Sequence, residues 1–169
     1  MKPILMLLVG ITCFFQLQAQ QQETTVDLLQ YGPSVAYLTT SYSTDQLDFN
    51  NHVKDYVLTW ITMASVVKGL KMMTHVARPD QSDFNSFPSG HAAVSFMGAE
   101  LIRERYPHQK TLWITSYLVA TTVSIQRVQQ EHHRPLEVLS GALIGIASVH
   151  LTQLIQRKLV KRKSAPKNF

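Results

Sequence analysis

Three polar clusters interrupt an otherwise apolar chain. The first is Lys71-Met-Met-Thr-His-Val-Ala-Arg78-Pro79, the second Phe87-Pro88-Ser89-Gly90-His91, and the third runs from Arg127 through His132-His133-Arg134-Pro135 to Glu137. Lys71, Arg78 and Arg127 are three cations that an apolar helical body must keep out of its core. Brought together they form a cage for a doubly charged anion. Forked guanidinium donors beside one ammonium suit a tetrahedral oxyanion, with phosphate the natural guest. Ser89 adds a hydroxyl and Gly90 a backbone N–H with no side chain in the way. Both stand at a helix start, where free N–H groups and the helix dipole favour anions. Each cluster alone has a blander account as helix-end cations, a turn and cap, or an incidental polar residue. Their combination carries the chemistry.

Two imidazoles allow complementary roles. One ring nitrogen can attack phosphorus while a second histidine protonates the departing alcohol oxygen. The attacking ring needs its other nitrogen held by an acceptor that fixes the tautomer. His133 and Glu137 lie four apart across Pro135, in the first turn of a helix, so the carboxylate can reach back to the ring. His132, five residues before Glu137, fits less well. A metal held by His91, His132 and His133 is a competing arrangement. The neighbouring Lys and Arg side chains would repel a cation there.

The pattern Lys71-x6-Arg78-Pro79, Pro88-Ser89-Gly90-His91, Arg127-x5-His133-x3-Glu137 resembles the type 2 phosphatidic acid phosphatase superfamily. That group includes lipid phosphatases, bacterial non-specific acid phosphatases and vanadium haloperoxidases. The resemblance covers about residues 52–156 and implies an all-α helical bundle, partly membrane-embedded in some relatives, working without metal or cofactor. Lys71, Arg78, Ser89, the Gly90 backbone and Arg127 would hold the phosphate. His133 would be the nucleophile, Glu137 its orienting carboxylate, and His91 the general acid and then the base for water. Two positions depart from the pattern: Gln126 stands where the family usually has Ser, and Glu137 where it usually has Asp. The extra methylene of Glu137 predicts a less firmly held ring and reduced but present activity. The expected reaction is hydrolysis of phosphomonoesters, with lipid phosphates (phosphatidate-like, isoprenyl or lipid A) preferred to soluble esters. A haloperoxidase and a catalytically weakened anion-binding homologue are the rival readings.

Composition agrees with one small apolar domain. The chain has 169 residues, 45% of them hydrophobic and 16% charged, with a mean hydropathy of −0.03. So apolar a chain can bury a core, which excludes disorder, and 7 Gly, 7 Pro and one Cys exclude collagen and disulfide scaffolds. The net charge of +5 is a tail effect: Arg157, Lys158, Lys161, Arg162, Lys163 and Lys167 have no acid among them, which leaves the body slightly acidic. No folded nucleic-acid platform is expected; the tail suits solvent or an anionic membrane surface. Lys2, the apolar stretch from Pro3 to Phe15 and Leu17-Gln18-Ala19 read as an export signal over 1–19, or an uncleaved anchor. The expected location is therefore the bacterial envelope, inner membrane or periplasm, with the site facing the periplasm. Cys13 lies in that segment, so a processed chain has no thiol.

The elements that must position these residues follow from periodicity and punctuation. Residues 20–51 read as a polar leader with room for one short helix after Gly32-Pro33. Helices are expected over 52–70, 91–105, 111–126 and 135–158, with a loop at 78–90 and a basic tail at 157–169. The runs His91–Ile102 and Leu112–Ile125 are short for a membrane crossing, and Val138–Ile155 is nearly long enough. Arg103, Arg105, Lys110 and the basic tail would share one side of a membrane. An anchor at 4–18 followed by a crossing at 52–70 would then put Lys71 opposite the loops at 78–90 and 127–135. The sequence therefore asks for a cleaved signal with 52–70 along the surface or dipping in and returning, or for no crossing.

Overall fold

The computed structural model describes residues 24–164, with side chains as far as residue 159; the expected signal at 1–19 and most of the basic tail lie outside the described residues. A helical segment at 24–29 leads into α1 (Gly32–Thr44), α2 (Phe49–Thr74), α3 (Gly90–Arg105), α4 (Lys110–Gln129) and α5 (Pro135–Ser164). There is no strand among the described residues, as the all-α reading expects. Local chemistry sets the boundaries. Pro33 opens α1 where its missing N–H costs nothing. His75 closes α2 in the left-handed region at φ 44°. Ser89 caps α3 by accepting from the Ala92 N–H at 3.5 Å. Pro135 opens α5, whose first turn carries Glu137 at the positive end of the helix dipole.

The leader differs most from expectation. Helix α1 is a full member of the bundle, packing on α3 through buried Ser34, Tyr37 and Ser41. Its turn-former start and Thr/Ser-rich sequence hide this, because the surface it covers is itself made of small residues. The extra helix also changes which end of the bundle the chain reaches. It carries the chain from one end of the bundle to the other, so α2 runs back and delivers Lys71 to the same end as the heads of α3 and α5. Residues 52–70 therefore belong to a bundle helix, not to a surface helix.

Helix α3 is the axis of the fold and packs against all four other helices. Ala92, Ala93, Met97, Ala99 and Ile102 along it are fully buried. The tightest approach is from α5, through Gly141 and Gly145 at i, i+4 spacing. A Cβ on Gly141 would run into the backbone carbonyl of Ser89, and one on Gly145 into that of Ala93. These glycines let the head of α5 settle on the head of α3, where the Ser89 N–H donates to the Glu137 carbonyl at 3.0 Å. The second and third polar clusters are thus joined by backbone packing.

The bundle buries many polar side chains beside its apolar core and exposes many large apolar ones. Ser34, Ser41, Thr59, Ser95, Glu100, Ser148 and Thr152 are buried, while Leu58, Trp60, Ile61, Leu118, Ile125, Leu139, Leu143 and Leu154 are exposed. Residues Pro135–Leu159 form one helix long and apolar enough to cross a membrane.

Candidate active site

The sequence-predicted residues gather at one end of the bundle. A cleft of about 460 Å³ is lined by Lys71 from the last turn of α2, Arg78 from the following loop, Gly90 and His91 from the head of α3, and His133 from the turn before α5. The rest of its lining is mostly apolar, made by Trp60, Met63, Ala64, Val67 and Val94, with Gln30, Tyr31 and Lys68.

The loop between α2 and α3 is fixed at both ends. The Arg78 N–H donates to the Asp83 carbonyl at 2.8 Å, and the Asp80 N–H to the Glu131 carbonyl at 3.1 Å. Lys71 Nζ donates to the carbonyl of Asn85. Arg78 has Asp83 at 3.7 Å, and its Nε is buried without a partner among the described residues. Burial and the nearby Arg78 charge hold the Lys71 ammonium below the usual lysine range. An anion entering the cleft would relieve both strains, since it brings the charge that these cations lack. Gly90 leaves open space beside it, with nothing within 4 Å of a notional Cβ. Ser89 is fully buried and does not line the cleft. Its oxygen accepts the cap bond, which leaves its proton available to a donor role only over a short reach.

The turn between α4 and α5 separates the two adjacent histidines. Glu131 takes a left-handed conformation at φ 58°, and both the His132 and His133 N–H groups donate to the Arg127 carbonyl at 3.2 Å. His132 then faces Asp80 at 3.4 Å and Arg127 Nη1 at 3.0 Å, while His133 enters the cleft. The competing metal arrangement therefore loses one of its three rings to other partners. His133 is 3% exposed and its Nδ1 lies 3.4 Å from Glu137 Oε2, without the alignment of a good hydrogen bond. The Glu137 carboxylate is instead gripped by the Ser86 hydroxyl, the Arg134 N–H at 2.9 Å and Arg134 Nη1 at 3.1 Å.

Both cleft imidazoles are pushed toward the neutral form. Burial, then the charges of Lys71 and Arg78, bring His133 down to about 4. Burial, then Arg127, bring His91 down to about 4 as well, with Arg78 adding to the effect. Arg78 thus acts on both rings and stands between them electrostatically. A neutral His133 keeps a free lone pair, which is what an attack on phosphorus requires. Arg127 is buried in the wall behind, with Nη2 against the His91 ring and 2.8 Å from Asp27 Oδ1.

The family model of the PAP2 superfamily matches residues 30–161. The chain belongs to the PAP2 superfamily. The match begins within the segment read as a leader, in keeping with the place of α1 in the bundle. Among relatives of this PAP2 protein, the lipid A 1-phosphatase of Porphyromonas gingivalis is 34% identical over 85 residues, half of this chain and 19% of that protein. The undecaprenyl-diphosphatase of Sulfolobus acidocaldarius is 38% identical over 72 residues, 43% of this chain and 34% of that protein. The chain therefore matches about a fifth and a third of the lengths of these two relatives. The crystal structure of Aquifex aeolicus LpxE shares the fold, with a TM-score of 0.62 at 21% identity over 79% of this chain and 86% of that one.

Four features at the cleft end escaped the sequence reading. Asp27 lay in the supposed leader, and nothing in its surroundings marks it. Ser86 sits just before the second cluster, and its burial is invisible from its type. Arg134 was inside the third cluster, and its i, i+3 spacing to Glu137 is a usable signal. The apolar lining from α2 reads in the sequence as ordinary helix periodicity.

Proposed function

We propose that this PAP2 protein hydrolyses the phosphomonoester of a lipid phosphate through a phosphohistidine on His133. The observation that carries the reading is the mixed lining of the cleft: Lys71, Arg78, His91 and His133 together with the apolar Trp60, Met63, Ala64, Val67 and Val94. A cage of cations alone would suit any phosphate. The apolar part of the lining gives a chain attached to that phosphate somewhere dry to lie. The names of the two relatives, a lipid A 1-phosphatase and an undecaprenyl-diphosphatase, also point to lipid-borne phosphates.

In this mechanism Lys71, Arg78 and the Gly90 N–H hold the phosphoryl oxygens, while Arg127, braced by Asp27, adds its charge from behind the His91 ring. The free lone pair of the His133 ring attacks phosphorus as the P–O bond to the alcohol breaks, and His91 gives its proton to the leaving oxygen. Glu137 compensates the charge that develops on the His133 ring. Water then attacks the phosphohistidine, losing its proton to His91, and inorganic phosphate leaves with both rings restored. No step calls for a metal ion.

The bundle sits in a membrane with the cleft at its surface. Its exposed Leu, Ile and Trp side chains and buried hydroxyls are the arrangement a lipid solvent favours, and the Gly141–Gly145 contact is a small-residue helix seam. Arg103, Arg105, Lys110, Arg157 and Lys158 lie toward the end away from the cleft. The bias of Lys and Arg toward the cytoplasm turns the cleft outward, to the periplasmic side.

The deciding experiment incubates the detergent-solubilised protein with a ³²P-labelled lipid phosphate and quenches in base. Acid-labile, base-stable label on His133, absent from His133→Ala, is expected. Hydrolysis without such label would remove the phosphohistidine. Equal kcat/KM on short water-soluble esters and on lipid phosphates in detergent would remove the lipid preference.

A further inference from the structure

The cleft contains a second imidazole–carboxylate pair whose acid comes from outside the three clusters. Asp27 Oδ1 lies 2.7 Å from His91 Nε2 and 2.8 Å from Arg127 Nη2. Packing, and not this ion pair alone, puts it there. Val26 is fully buried and Gln30 nearly so. The Gln30 amide donates to the Asp27 carbonyl at 2.8 Å, and the buried Ser95 hydroxyl, one turn along α3 from His91, donates to the Gln30 carbonyl at 3.2 Å. The segment at 24–29 is thus pinned to the flank of α3, with the Asp27 carboxylate facing the first turn of that helix.

The charges around His91 give this carboxylate a task. The ring faces Arg127 from α4, Arg78 from the loop before α3, and Asp27 from the N-terminal segment. An arginine offers donors only, so Arg127 favours a ring nitrogen without a proton and opposes the doubly protonated ring. Burial acts in the same direction. Of the three charged neighbours only Asp27 favours the imidazolium, yet a general acid must be in that form when the alcohol leaves.

We propose that Asp27 is a positioning residue for His91: its carboxylate accepts the Nε2 proton, fixes the ring beside Arg127, whose Nη2 also lies 3.2 Å from Nδ1, and favours the protonated ring that gives a proton to the leaving oxygen. The proposal rests on the phosphatase reading above, and it makes the cleft a site of two imidazoles, each with its own carboxylate. No proton is lost or gained by Asp27 in the cycle; it remains the acceptor while a proton of the His91 ring moves to the alcohol and returns from water.

The test compares wild type, Asp27→Asn and Asp27→Glu in detergent, on an alkyl phosphate and on p-nitrophenyl phosphate. General-acid help matters for a poor leaving group and little for a good one. Asp27→Asn is expected to lose about thirtyfold in kcat on the alkyl ester and about threefold on the nitrophenyl ester. It should also move the alkaline limb of the kcat profile to lower pH, and Asp27→Glu should recover part of both. A parallel titration of the ¹⁵N-labelled His91 ring reads the pairing without any substrate, and it should drop in Asp27→Asn. Equal losses on the two esters with an unmoved pH limb would overturn the proposal. So would tighter inhibition by inorganic phosphate with a raised kcat/KM, which would mean that Asp27 merely fills the anion seat. If wild type cleaves neither ester, the phosphatase reading fails by itself. The His91 titration then still decides the pairing, and an unmoved value overturns it.

Discussion

The two ends of the bundle carry similar residue types in opposite states of compensation. Away from the cleft, cations meet acids: Arg105 lies 3.1 Å from Asp48 and 3.6 Å from Asp45, Arg103 is clamped on buried Glu100, and His150 is 2.8 Å from the same carboxylate. At the cleft, Arg127 and Arg134 are paired too, with Asp27 at 2.8 Å and Glu137 at 3.1 Å, but Lys71 leans on a backbone carbonyl, and Arg78 reaches a carboxylate only at 3.7 Å while its Nε stays buried and unpartnered. A cation whose donors are all taken is a brace. One whose donors are left over attracts an anion from outside. The difference lies in pairing, not in composition, and it marks which end does chemistry.

The strongest way to break that contrast is to delete one arginine from each end. Arg78→Ala is expected to lower kcat/KM for phosphate ester hydrolysis by about a hundredfold or more, the scale of removing a preorganised donor to a charged transition state. Arg105→Ala should leave kcat/KM within about twofold and lower the melting temperature instead, because it leaves Asp45 and Asp48 without their counter-ion. Steady-state kinetics and a thermal melt on the two purified variants decide it. Equal loss of activity from both would show that the charge imbalance has no bearing on catalysis.

A finer contrast lies within the cleft end, between the carboxylate of Glu137 and the amide that would replace it. Glu137 reaches His133 at 3.4 Å while three firmer donors from Ser86 and Arg134 hold it in place. Its charge therefore matters more than its reach. Glu137→Gln should lower kcat by about a hundredfold, below the roughly 10⁴ seen when a triad acid is neutralised, since the existing hold is already loose. Glu137→Asp should stay within about fivefold of wild type. The same turnover from both variants would end the orienting role.

What the sequence makes legible follows the same division. The residues that must be chemically special, such as Lys71, Arg78, His91, Arg127, His133 and Glu137, are rare types in an apolar chain, so their spacing stands out. Helix periodicity and the stops at Pro79, Pro107 and Pro135 place α2 to α5 within a few residues of their ends. Residues that act by packing leave no such mark. Helix α1 buries serines and a tyrosine against Gly98, which reads as loop composition until the small surface of α3 is seen to receive it. Asp27 is one acid among several polar neighbours and becomes distinct only when α1 and Val26 bring it beside Arg127. Hydropathy along the chain is held down for a related reason: these helices bury hydroxyls and Glu100, while many of their exposed side chains are apolar.

Acid tests the cleft end through its imidazoles. His91 and His133 both titrate near 4 when folded, against an ordinary histidine value of 6.5, because burial and neighbouring cations oppose the charged ring. Between those two values the unfolded chain binds protons that the folded one refuses, so stability is full above about 6.5 and falls as the pH drops towards 4. Below that the two rings are charged in both states and add no further slope. Wild type should therefore lose roughly 5 °C more in melting temperature between pH 7 and pH 4 than the double variant His91→Gln, His133→Asn, which has no ring to protonate at either place. Inorganic phosphate should narrow the gap, since a bound anion favours the protonated rings. If the two proteins melt with the same pH slope, the rings are not held neutral by their surroundings, and His133 loses the free lone pair that its attack on phosphorus needs.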